Sequence, residues 1–351
     1  MKLLYITNGI TGVGGLERVL AIKASYLAEI LHYEICIITL NEEGIKPFYQ
    51  FSPKITFRSV DVSTNKFRYF LGIRHIVKEF NPDVISVCDD GLKGFFVPLW
   101  VGGKSRIIYE RHTSKEMITL GKTPNLKNRF SFMLMNIGSY FYDKFIVLTD
   151  HNKKQWKYGN VEVIPNPLPF YPDSMAKLEN KRIIAVGKVS VEKGYERLAE
   201  AWKLISYKYP DWRVDIYGSV GAYSELAEEI KASAIHINPP VKDIQNEYLS
   251  SSIYVLSSRF EGFGMVLIES MACGVPCVAF DCPCGPRDII KDGEDGFLVE
   301  NGNVEQLAQQ LSVLIENTLL RKQMGNNARE NAQRYDINII AHQWDSLFKS
   351  L

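Results

Sequence analysis

The sequence has almost no net charge and few cysteines. Its 351 residues include 41 basic and 40 acidic side chains, which leaves a formal net charge of +1. A chain without an excess of positive charge has no overall field that draws it to a nucleic acid, and no motif for reading nucleic acids is present, so we expect no nucleic-acid partner. Six cysteines are too few for a disulfide scaffold in a chain of this length.

Long hydrophobic runs are also missing. No apolar run reaches the roughly 18 residues that a membrane-spanning helix needs. The first ten residues, MKLLYITNGI, hold a short apolar run typical of a first β-strand and lack the features of a secretory signal. We therefore expect a cytoplasmic protein, which can still lie peripherally on the inner face of the cell membrane.

What the sequence does contain is an alternation of strand-like and helix-like segments, which restarts after Lys181. Continuous apolar runs between helices are typical of parallel sheets covered on both faces. The length suits two domains of roughly 150 residues each. Together these features predict the α/β class with two doubly wound, Rossmann-like domains. The predicted strands cover residues 2–7, 34–40, 55–60, 84–88, 106–109, 144–148, 183–187, 213–217, 253–257, 275–280 and 296–299.

Two further segments bear on the organisation of the chain. Residues 161–168, VEVIPNPL, are interpreted as a stiff linker between the domains because they contain two prolines. Residues 336–348 have the apolar spacing of one more amphipathic helix. In doubly wound sheets, ligands bind beyond the carboxyl ends of the strands, so the loops that follow the predicted strands are the first place to look for a site.

Glycines crowd the loop after the first predicted strand, TNGITGVGGLER at residues 7–18. Residues such as Gly14 and Gly15 let the backbone approach an anion, and the predicted helix over residues 16–31 presents free N–H groups there. The spacing is neither that of GxGxxG nor that of a P-loop. A phosphate contact and a plain tight turn both fit this loop.

Two lysines follow the strand over residues 183–187, in the loop GKVSVEKG at residues 187–194. Ammonium groups at the carboxyl end of a parallel strand can neutralise a diphosphate, which gives Lys188 and Lys193 a candidate role. Gly187 opens the same loop. The alternative is that both lysines are solvated loop charges.

Two carboxylates stand eight residues apart in the segment SSRFEGFGMVLIESMACGVP, residues 257–276. Glu261 precedes a glycine-rich turn and Glu269 lies one turn into the predicted helix that follows. Carboxylates accept paired hydrogen bonds from vicinal hydroxyls, so the pair suits two sugar rings. The backbone N–H groups of Phe263, Gly264 and Met265 would face a nearby anion. The alternative is a helix cap and one buried structural glutamate.

With these three loops the chain resembles a retaining glycosyltransferase of family 4, of the bacterial type that builds polysaccharides and lipid-linked glycans. The likeness covers nearly the whole length. Its most specific part is EGFGMVLIESMACGVPCVAF with the turn DGEDGFLV at residues 292–299. The resemblance implies a GT-B fold, in which two Rossmann-like domains face each other across a deep cleft. It implies an acceptor-binding domain over residues 1–164 with a returning helix over 335–351, and a nucleotide-sugar-binding domain over 165–334.

The resemblance also implies a role for each residue of the three loops. Lys188 and Lys193 would bind the donor diphosphate, Glu269 the ribose and Glu261 the donor sugar. The family usually has arginine where this chain has Lys188, which keeps the charge but loses the bidentate fork. The remaining implied donor contacts are His112 in IIYERHTS near the sugar, Val241 near the base, Gly14, Gly15 and Gly187 near the diphosphate, and the backbone of Phe263, Gly264 and Met265. His112, Lys188, Lys193 and Glu261 form the catalytic set.

The implied reaction needs no metal and no cofactor. The sequence contains no Asp-x-Asp, and two lysines with a helix end could stabilise the departing diphosphate instead. The resemblance points to a UDP-sugar donor, a hexosyl transfer and displacement on one face of the sugar. Cys273, Cys277, Cys282 and Cys284 could suggest zinc, but their spacings lack the C-x2-C knuckle, so small buried thiols are the preferred interpretation.

The acceptor is expected to be a glycan or a lipid-linked glycan. Residues 115–160 carry a local charge of +5, and the positions Phe130, Met133, Leu134, Ile137 and Phe141 share one helical face. Such a helix can rest on an anionic membrane, or its apolar face can pack on the sheet. The basic residues are Lys115, Lys122, Lys127, Arg129, Lys144, Lys153, Lys154 and Lys157, and the predicted helix over 65–80 adds Lys66, Arg68, Arg74 and Lys78 with Phe67, Tyr69 and Phe70.

Two alternatives remain at this point. One is a protein that binds a nucleotide sugar without transferring it. The other is a different GT-B enzyme, a disaccharide phosphorylase or a sugar-nucleotide epimerase. The sequence leaves the donor sugar, the linkage and the oligomeric state open.

Overall fold

The computed structural model describes residues 1–63, 65, 67–89, 91–119, 123–157 and 159–351. The chain divides into two compact units. Unit 1 comprises Met1–Pro169 and Ile337–Leu351, and unit 2 comprises Phe170–Asp336. The sequence analysis placed the corresponding boundaries after residues 164 and 334.

Unit 1 contains a seven-stranded sheet in which neighbouring strands run parallel. Its spatial order is β3-β2-β1-β4-β5-β6-β7, the arrangement of a doubly wound fold. The strands are β1 (Lys2–Thr7), β2 (Glu34–Leu40), β3 (Thr56–Val60), β4 (Val84–Cys88), β5 (Arg106–Arg111), β6 (Lys144–Val147) and β7 (Val161–Val163).

Helices cover both faces of this sheet, because successive strand residues point to opposite sides. Leu3 packs with the layer formed by the first and last helices of the chain, and Leu4 packs with the layer on the opposite face. The helices that connect the strands of unit 1 are α1 (Gly15–Glu29), α2 (Arg68–Phe80), α3 (Pro98–Val101), α4 (Glu116–Thr119), α5 (Leu126–Ser139) and α6 (Asp150–Lys153).

Unit 2 contains a six-stranded parallel sheet in the order β10-β9-β8-β11-β12-β13. Its strands are β8 (Arg182–Val186), β9 (Arg213–Tyr217), β10 (Ile235–Asn238), β11 (Ile253–Leu256), β12 (Cys277–Phe280) and β13 (Gly296–Val299). Its helices are α7 (Tyr195–Ile205), α8 (Ser224–Lys231), α9 (Ile244–Leu249), α10 (Met265–Ala272), α11 (Pro286–Ile289), α12 (Val304–Glu316) and α13 (Thr318–Ala332), after which the chain returns to unit 1 as α14 (Ile337–Ser350).

The predicted α/β class with two Rossmann-like domains is confirmed, and two local predictions are wrong. The first three residues of the proposed linker, Val161–Val163, form strand β7 and pair with β6. Pro165 and Pro167 follow this strand, so they do not interrupt its hydrogen bonds. The sequence analysis also missed β10, a four-residue strand at the edge of the second sheet. Edge strands are short and only partly buried, so their apolar signal is weak.

No helix within the described residues combines the length and the apolar character that crossing a membrane requires.

Candidate active site

The carboxyl edge of the sheet in unit 2 brings Lys193 and Glu261 together. Lys193 ends a short 3-10 turn after β8, and Glu261 lies in the loop after β11. The Lys193 Nζ atom is 2.7 Å from Glu261 Oε1, and Ser258 Oγ donates to the same oxygen at 2.6 Å. Both charged side chains are mostly buried. The interpretation of Lys193 as a solvated loop charge is therefore wrong. The side chain of Lys188 is exposed, as that interpretation expects.

Glycines allow the loops at this edge to approach one another. Gly194 has a φ of 58°, and a Cβ there would overlap the carbonyl oxygen of Ser257. Gly187 has a φ of 146°, and its carbonyl oxygen lies where a Cβ on Gly218 would stand. L-residues with side chains rarely adopt such φ values. The backbone that carries both lysines is thus held tightly against the neighbouring loops.

Glu269 is the fifth residue of α10 and is buried. The hydroxyl of Tyr248 donates to its Oε2 atom at 3.3 Å. The turn before α10 is shaped by Gly264, which has a φ of 96°, and by Gly285, whose Cα lies against the carbonyl oxygen of Phe263. The turn containing Phe263, Gly264 and Met265 is therefore fixed between two loops before the helix begins.

The position of Val241 is set by strand β10, which the sequence analysis missed. Strand β10 ends at Asn238, so Val241 follows at the carboxyl edge of the same parallel sheet. Its side chain is exposed. An exposed apolar side chain at this edge can contact a flat ring such as a nucleotide base.

In unit 1, two carboxylates occupy the glycine-rich loop. Glu42 accepts the N–H of Ile10 at 2.8 Å and that of Thr11 at 3.3 Å. The Glu17 carboxylate lies against Gly12 and Gly14, where a Cβ would come within 2.5 Å of its oxygens. The space around Gly15, the first residue of α1, is open. The first part of the loop therefore already binds an anionic group of the chain itself.

His112 follows β5 and contacts a buried charge cluster. Its Nε2 atom is 3.3 Å from Glu110 Oε2, and the same oxygen is 2.5 Å from Lys23 Nζ. Ser86 Oγ donates to the other oxygen, Glu110 Oε1, at 2.6 Å. Burial alone would raise the pKa of Glu110, but the charge of Lys23 and the hydrogen bond from His112 outweigh it and lower that pKa to about 2. The carboxylate is therefore ionised at neutral pH.

Sequence reasoning missed Lys23, Ser86, Glu110 and Glu42 as members of these clusters. Glu110 had a signal, because it is an acidic residue that directly follows the apolar run of a predicted strand and lies two residues before a candidate histidine. Lys23 lies on the buried face of α1, which is unusual for a lysine. Ser86 and Glu42 had no comparable signal, because their partners are distant in the chain.

One group in the described part of the chain has three donor atoms close enough to hold a metal: those of Cys88, Glu110 and His112 lie within 4.8 Å of one another. The ammonium of Lys23 is bonded to the same carboxylate, so a metal ion there would face a positive charge at close range. These residues do not fit a resident metal. Cys273, Cys277, Cys282 and Cys284 are buried thiols, and burial raises the pKa of Cys273 and of Cys277 to about 12.

The outer face of α5, defined by Phe130, Met133 and Ile137, is exposed to solvent. These side chains are 57%, 49% and 43% exposed. The helix packs on the unit through another face, on which Gly138 lies against Phe95. The alternative that the apolar stripe packs on the sheet is therefore wrong.

The basic residues of this region divide into two groups. Lys115 is buried, bonded to Asn136 and to the carbonyl of Gln155, and Lys144 pairs with Glu162. The exposed ones are Lys127, Arg129, Lys153, Lys154 and Lys157, whereas Lys66 and Lys122 lie outside the described residues.

Helix α2 shows a similar division between buried and exposed aromatic residues. Tyr69 is buried, Phe67 is exposed, and Phe70 packs on the ring of Trp100 with centroids 4.9 Å apart. The predicted start at residue 65 is three residues early, because the helix begins at Arg68. Its apolar residues thus serve both the core and the surface.

Comparison with known proteins gives the same family in two ways. The family model "Glycosyl transferases group 1" matches residues 171–331. An uncharacterised glycosyltransferase of Haemophilus influenzae is 32% identical, and the amylovoran biosynthesis glycosyltransferase AmsD of Erwinia amylovora is 30% identical, each alignment covering 99% of both chains.

Solved structures match the fold over the whole length. Sucrose-phosphate synthase from Thermosynechococcus elongatus has a TM-score of 0.82 at 16% identity and covers 99% of this chain and 98% of its own. Anabaena HepE in complex with UDP-glucose has a TM-score of 0.80 at 18% identity and covers 100% of both. These neighbours have the GT-B fold, and the full-length sequence relatives show that the chain belongs to the group 1 glycosyltransferases.

Proposed function

We propose that this protein is a retaining glycosyltransferase of family 4 that transfers a hexosyl unit from a UDP-sugar to a glycan or lipid-linked glycan in cell-surface polysaccharide synthesis. The observation that carries the proposal is the pairing of Lys193 with Glu261 at the carboxyl edge of a parallel sheet, where ligands bind, with the buried Glu269 in the helix that follows Glu261. The relatives support the process, since one acts in amylovoran biosynthesis. A neighbour solved with UDP-glucose supports the donor class.

The donor would be held by charge and by paired hydroxyl contacts. Lys188 and Lys193 would neutralise the diphosphate, with Gly14, Gly15 and Gly187 as backbone contacts. The backbone of Phe263, Gly264 and Met265 would add N–H donors, and Val241 would meet the base. Glu269 would accept hydrogen bonds from the ribose, while Glu261 and His112 would contact the donor sugar.

The lysines would also lower the barrier to reaction. Negative charge grows on the departing diphosphate as the bond from the anomeric carbon to its oxygen breaks. Lys193 is already held in place by Glu261, which also accepts a hydrogen bond from Ser258, so little reorganisation is needed when that charge develops. Removing one preorganised donor of this kind typically costs about 3–4 kcal/mol of transition-state stabilisation. The departing phosphate would accept the proton of the acceptor hydroxyl on the same face, and the proposal requires no metal and no cofactor.

The acceptor side would lie against a membrane. The outer face of α5 presents three apolar side chains to solvent, and exposed basic residues follow in the segment after α6. Lys115 connects α5 to that segment through its bonds to Asn136 and Gln155. Apolar side chains beside basic ones match the chemistry of an anionic bilayer surface, where a lipid-linked acceptor would reside.

The proposal is tested by thermal shift with UDP, GDP, ADP and CMP, followed by UDP release from a panel of UDP-sugars. A ligand at 100 times its dissociation constant stabilises a protein by about 2.7 kcal/mol, which raises the melting temperature by a few degrees in a chain of this size. We expect UDP to give this shift, and Glu269→Gln and Lys193→Met to remove most of it. The exposed Glu330 on α13 supplies the matched control Glu330→Gln, which should keep the full shift.

Two results would count against the proposal. If no nucleotide shifts the melting temperature, or if Glu269→Gln leaves the shift unchanged, the donor site is misplaced. If UDP binds but no UDP-sugar is consumed with any glycan acceptor offered, a nucleotide-sugar-binding protein without transfer becomes the better description. Phosphate-dependent cleavage of a disaccharide would instead identify a phosphorylase.

A further inference from the structure

We propose that Glu110 is a positioning residue that holds His112 in the tautomer with its hydrogen on Nε2, so that Nδ1 is kept as an acceptor for a sugar hydroxyl. Lys23, covered by the C-terminal helix α14, keeps this carboxylate in place. The identity of the ligand as a sugar rests on the proposed function, whereas the tautomer does not.

The hydrogen-bond inventory of the Glu110 carboxylate determines where the imidazole hydrogen sits. One oxygen accepts from Ser86 and the other from Lys23, whose Nζ atom is 2.5 Å away. An ionised carboxylate only accepts hydrogen bonds. The contact of 3.3 Å between its Oε2 and the Nε2 of His112 therefore requires a hydrogen on Nε2. In the neutral imidazole this leaves Nδ1 as the acceptor.

The other ring nitrogen has no partner in the part of the chain that the structure describes. His112 Nδ1 is buried and makes no hydrogen bond to a described residue, and the whole side chain is only 7% exposed. A buried polar atom left unsatisfied is unfavourable, because it has lost its hydrogen bonds to water without replacing them. A hydroxyl of the bound sugar would remove this penalty by donating to Nδ1, so binding would be favoured only in the tautomer that Glu110 selects.

Lys23 connects this arrangement to the end of the chain. Its side chain is buried, and its ammonium lies 4.0 Å from the ring centroid of Trp344 on α14 and 5.1 Å from that of Tyr5. Aromatic faces stabilise a cation in a site that excludes water. The ammonium therefore stays beside Glu110 as its counterion, and α14 supports the histidine from a position more than 200 residues further along the chain.

A purely structural network would hold the same contacts without influencing the reaction, so the test must separate the two. The matched change is the double variant Lys23→Met with Glu110→Leu, which removes the ion pair and leaves no unpaired buried charge. Replacing a buried ion pair with apolar residues of similar size is often neutral for stability. The control removes another ion pair of unit 1, through Lys144→Met with Glu162→Leu.

The first readout is the nitrogen NMR signature of the six histidines in protein labelled at the imidazole, with His112→Ala used for assignment. We expect the wild-type His112 to carry its hydrogen on Nε2, and the Lys23→Met, Glu110→Leu variant to show a mixture of tautomers. The control variant should match the wild type. A wild-type His112 with its hydrogen on Nδ1, or an unchanged signature in the double variant, overturns the proposal whether or not the protein consumes a UDP-sugar.

The second readout is the turnover of the UDP-sugar identified above. We expect the double variant to lower kcat/KM for the donor by about 10-fold or more, mainly through a raised KM, because the hydroxyl contact to Nδ1 forms when the sugar binds. Introduced into His112→Ala, the same two substitutions should lower kcat/KM by less than about twofold, because Glu110 acts through His112. If the two substitutions reduce activity as much in the His112→Ala background as in the wild type, Glu110 does not act through His112 and its role is merely structural.

Discussion

At the scale of single residues, two buried charge clusters show how partners stabilise charged side chains inside the fold. Arg182 at the start of β8 is bonded to Asp215, Glu247 and Ser250. Glu110 has Lys23, Ser86 and His112 around it. Burying an isolated charge costs far more than a folded chain can tolerate, so such residues require complementary groups nearby.

The pKa of Glu110 predicts how stability depends on acidity. Its folded value of about 2 lies below the unfolded value of 4.5, so its contribution is fully present above pH 4.5 and is lost as the pH falls to about 2. A depression of this size corresponds to about 3 kcal/mol. Denaturant unfolding of the wild type and of the Lys23→Met, Glu110→Leu variant at several pH values measures it.

We expect the wild type to lose stability relative to that variant as the pH falls from about 5 to about 2, because the variant lacks the titrating group. A stability difference that stays constant over this range would contradict the assignment of an ionised, paired Glu110.

At the scale of elements, α5 shows that an amphipathic pattern does not say which way a helix faces. Its apolar stripe with Phe130, Met133 and Ile137 points to solvent, while the small residues Gly138 and Ser139 are buried. Gly138 permits this because its Cα lies against Phe95, where a side chain would not fit. In α5 the face that contains the small residues is buried, because it can approach Phe95 closely, although the opposite face is more apolar.

The outward face of α5 predicts membrane binding that one pair of substitutions should remove. Phe130→Glu with Ile137→Glu places two negative charges where an anionic bilayer would lie, so we expect at least about a tenfold loss of binding to vesicles containing phosphatidylglycerol. Flotation of the protein with these vesicles measures it, and wild-type binding should weaken with salt. Substitutions at exposed positions usually change stability by about 0.5 kcal/mol or less, so folding should be retained.

Leu319, an exposed apolar residue of unit 2, supplies the control Leu319→Glu, which should leave flotation unchanged. Wild-type binding that is absent or insensitive to salt would refute the membrane proposal, and equal losses in both variants would show that the contact is not specific to α5.

At the scale of the whole molecule, unit 1 is closed by a helix from the opposite end of the chain. Trp344, Ile340 and Leu347 of α14 pack in one cluster with residues of α1 and of the sheet. Tyr33 also donates to Asp345 of this helix at 2.8 Å. The first 169 residues therefore lack part of their own core until the last helix has been added.

This closure predicts that two tryptophans of unit 1 respond differently to truncation. Trp344 is 2% exposed and Trp100 is 49% exposed. Removing a buried tryptophan side chain typically costs about 3–5 kcal/mol, so Trp344→Ala should lower the free energy of unfolding of unit 1 by that amount. Denaturant unfolding measures the change, with Trp100→Ala as the control expected to cost much less. Equal effects of the two substitutions would contradict the packing of α14.

The local predictions succeeded where the signal was periodic and strong. Buried strands such as Glu34–Leu40 and Val84–Cys88 have continuous apolar runs, and their bounds were predicted to the residue. The edge strands Val161–Val163 and Ile235–Asn238 were misassigned or missed, because each is short and has fewer neighbours to bury it. The loops that carry the candidate donor residues could be located because parallel strands end at one edge.

The sequence by itself determined the alternation of buried strands and helices, the two-domain class and the segments in which Lys193, Glu261 and Glu269 lie, because apolar periodicity and glycine placement are local properties of the chain. Only the tertiary structure decided that Lys193 is paired with Glu261, that Lys23 and Trp344 support Glu110 and His112, and that α5 exposes its apolar face. Ion pairing and burial depend on residues that are distant in the sequence, and these meet only when the sheets and helices have packed.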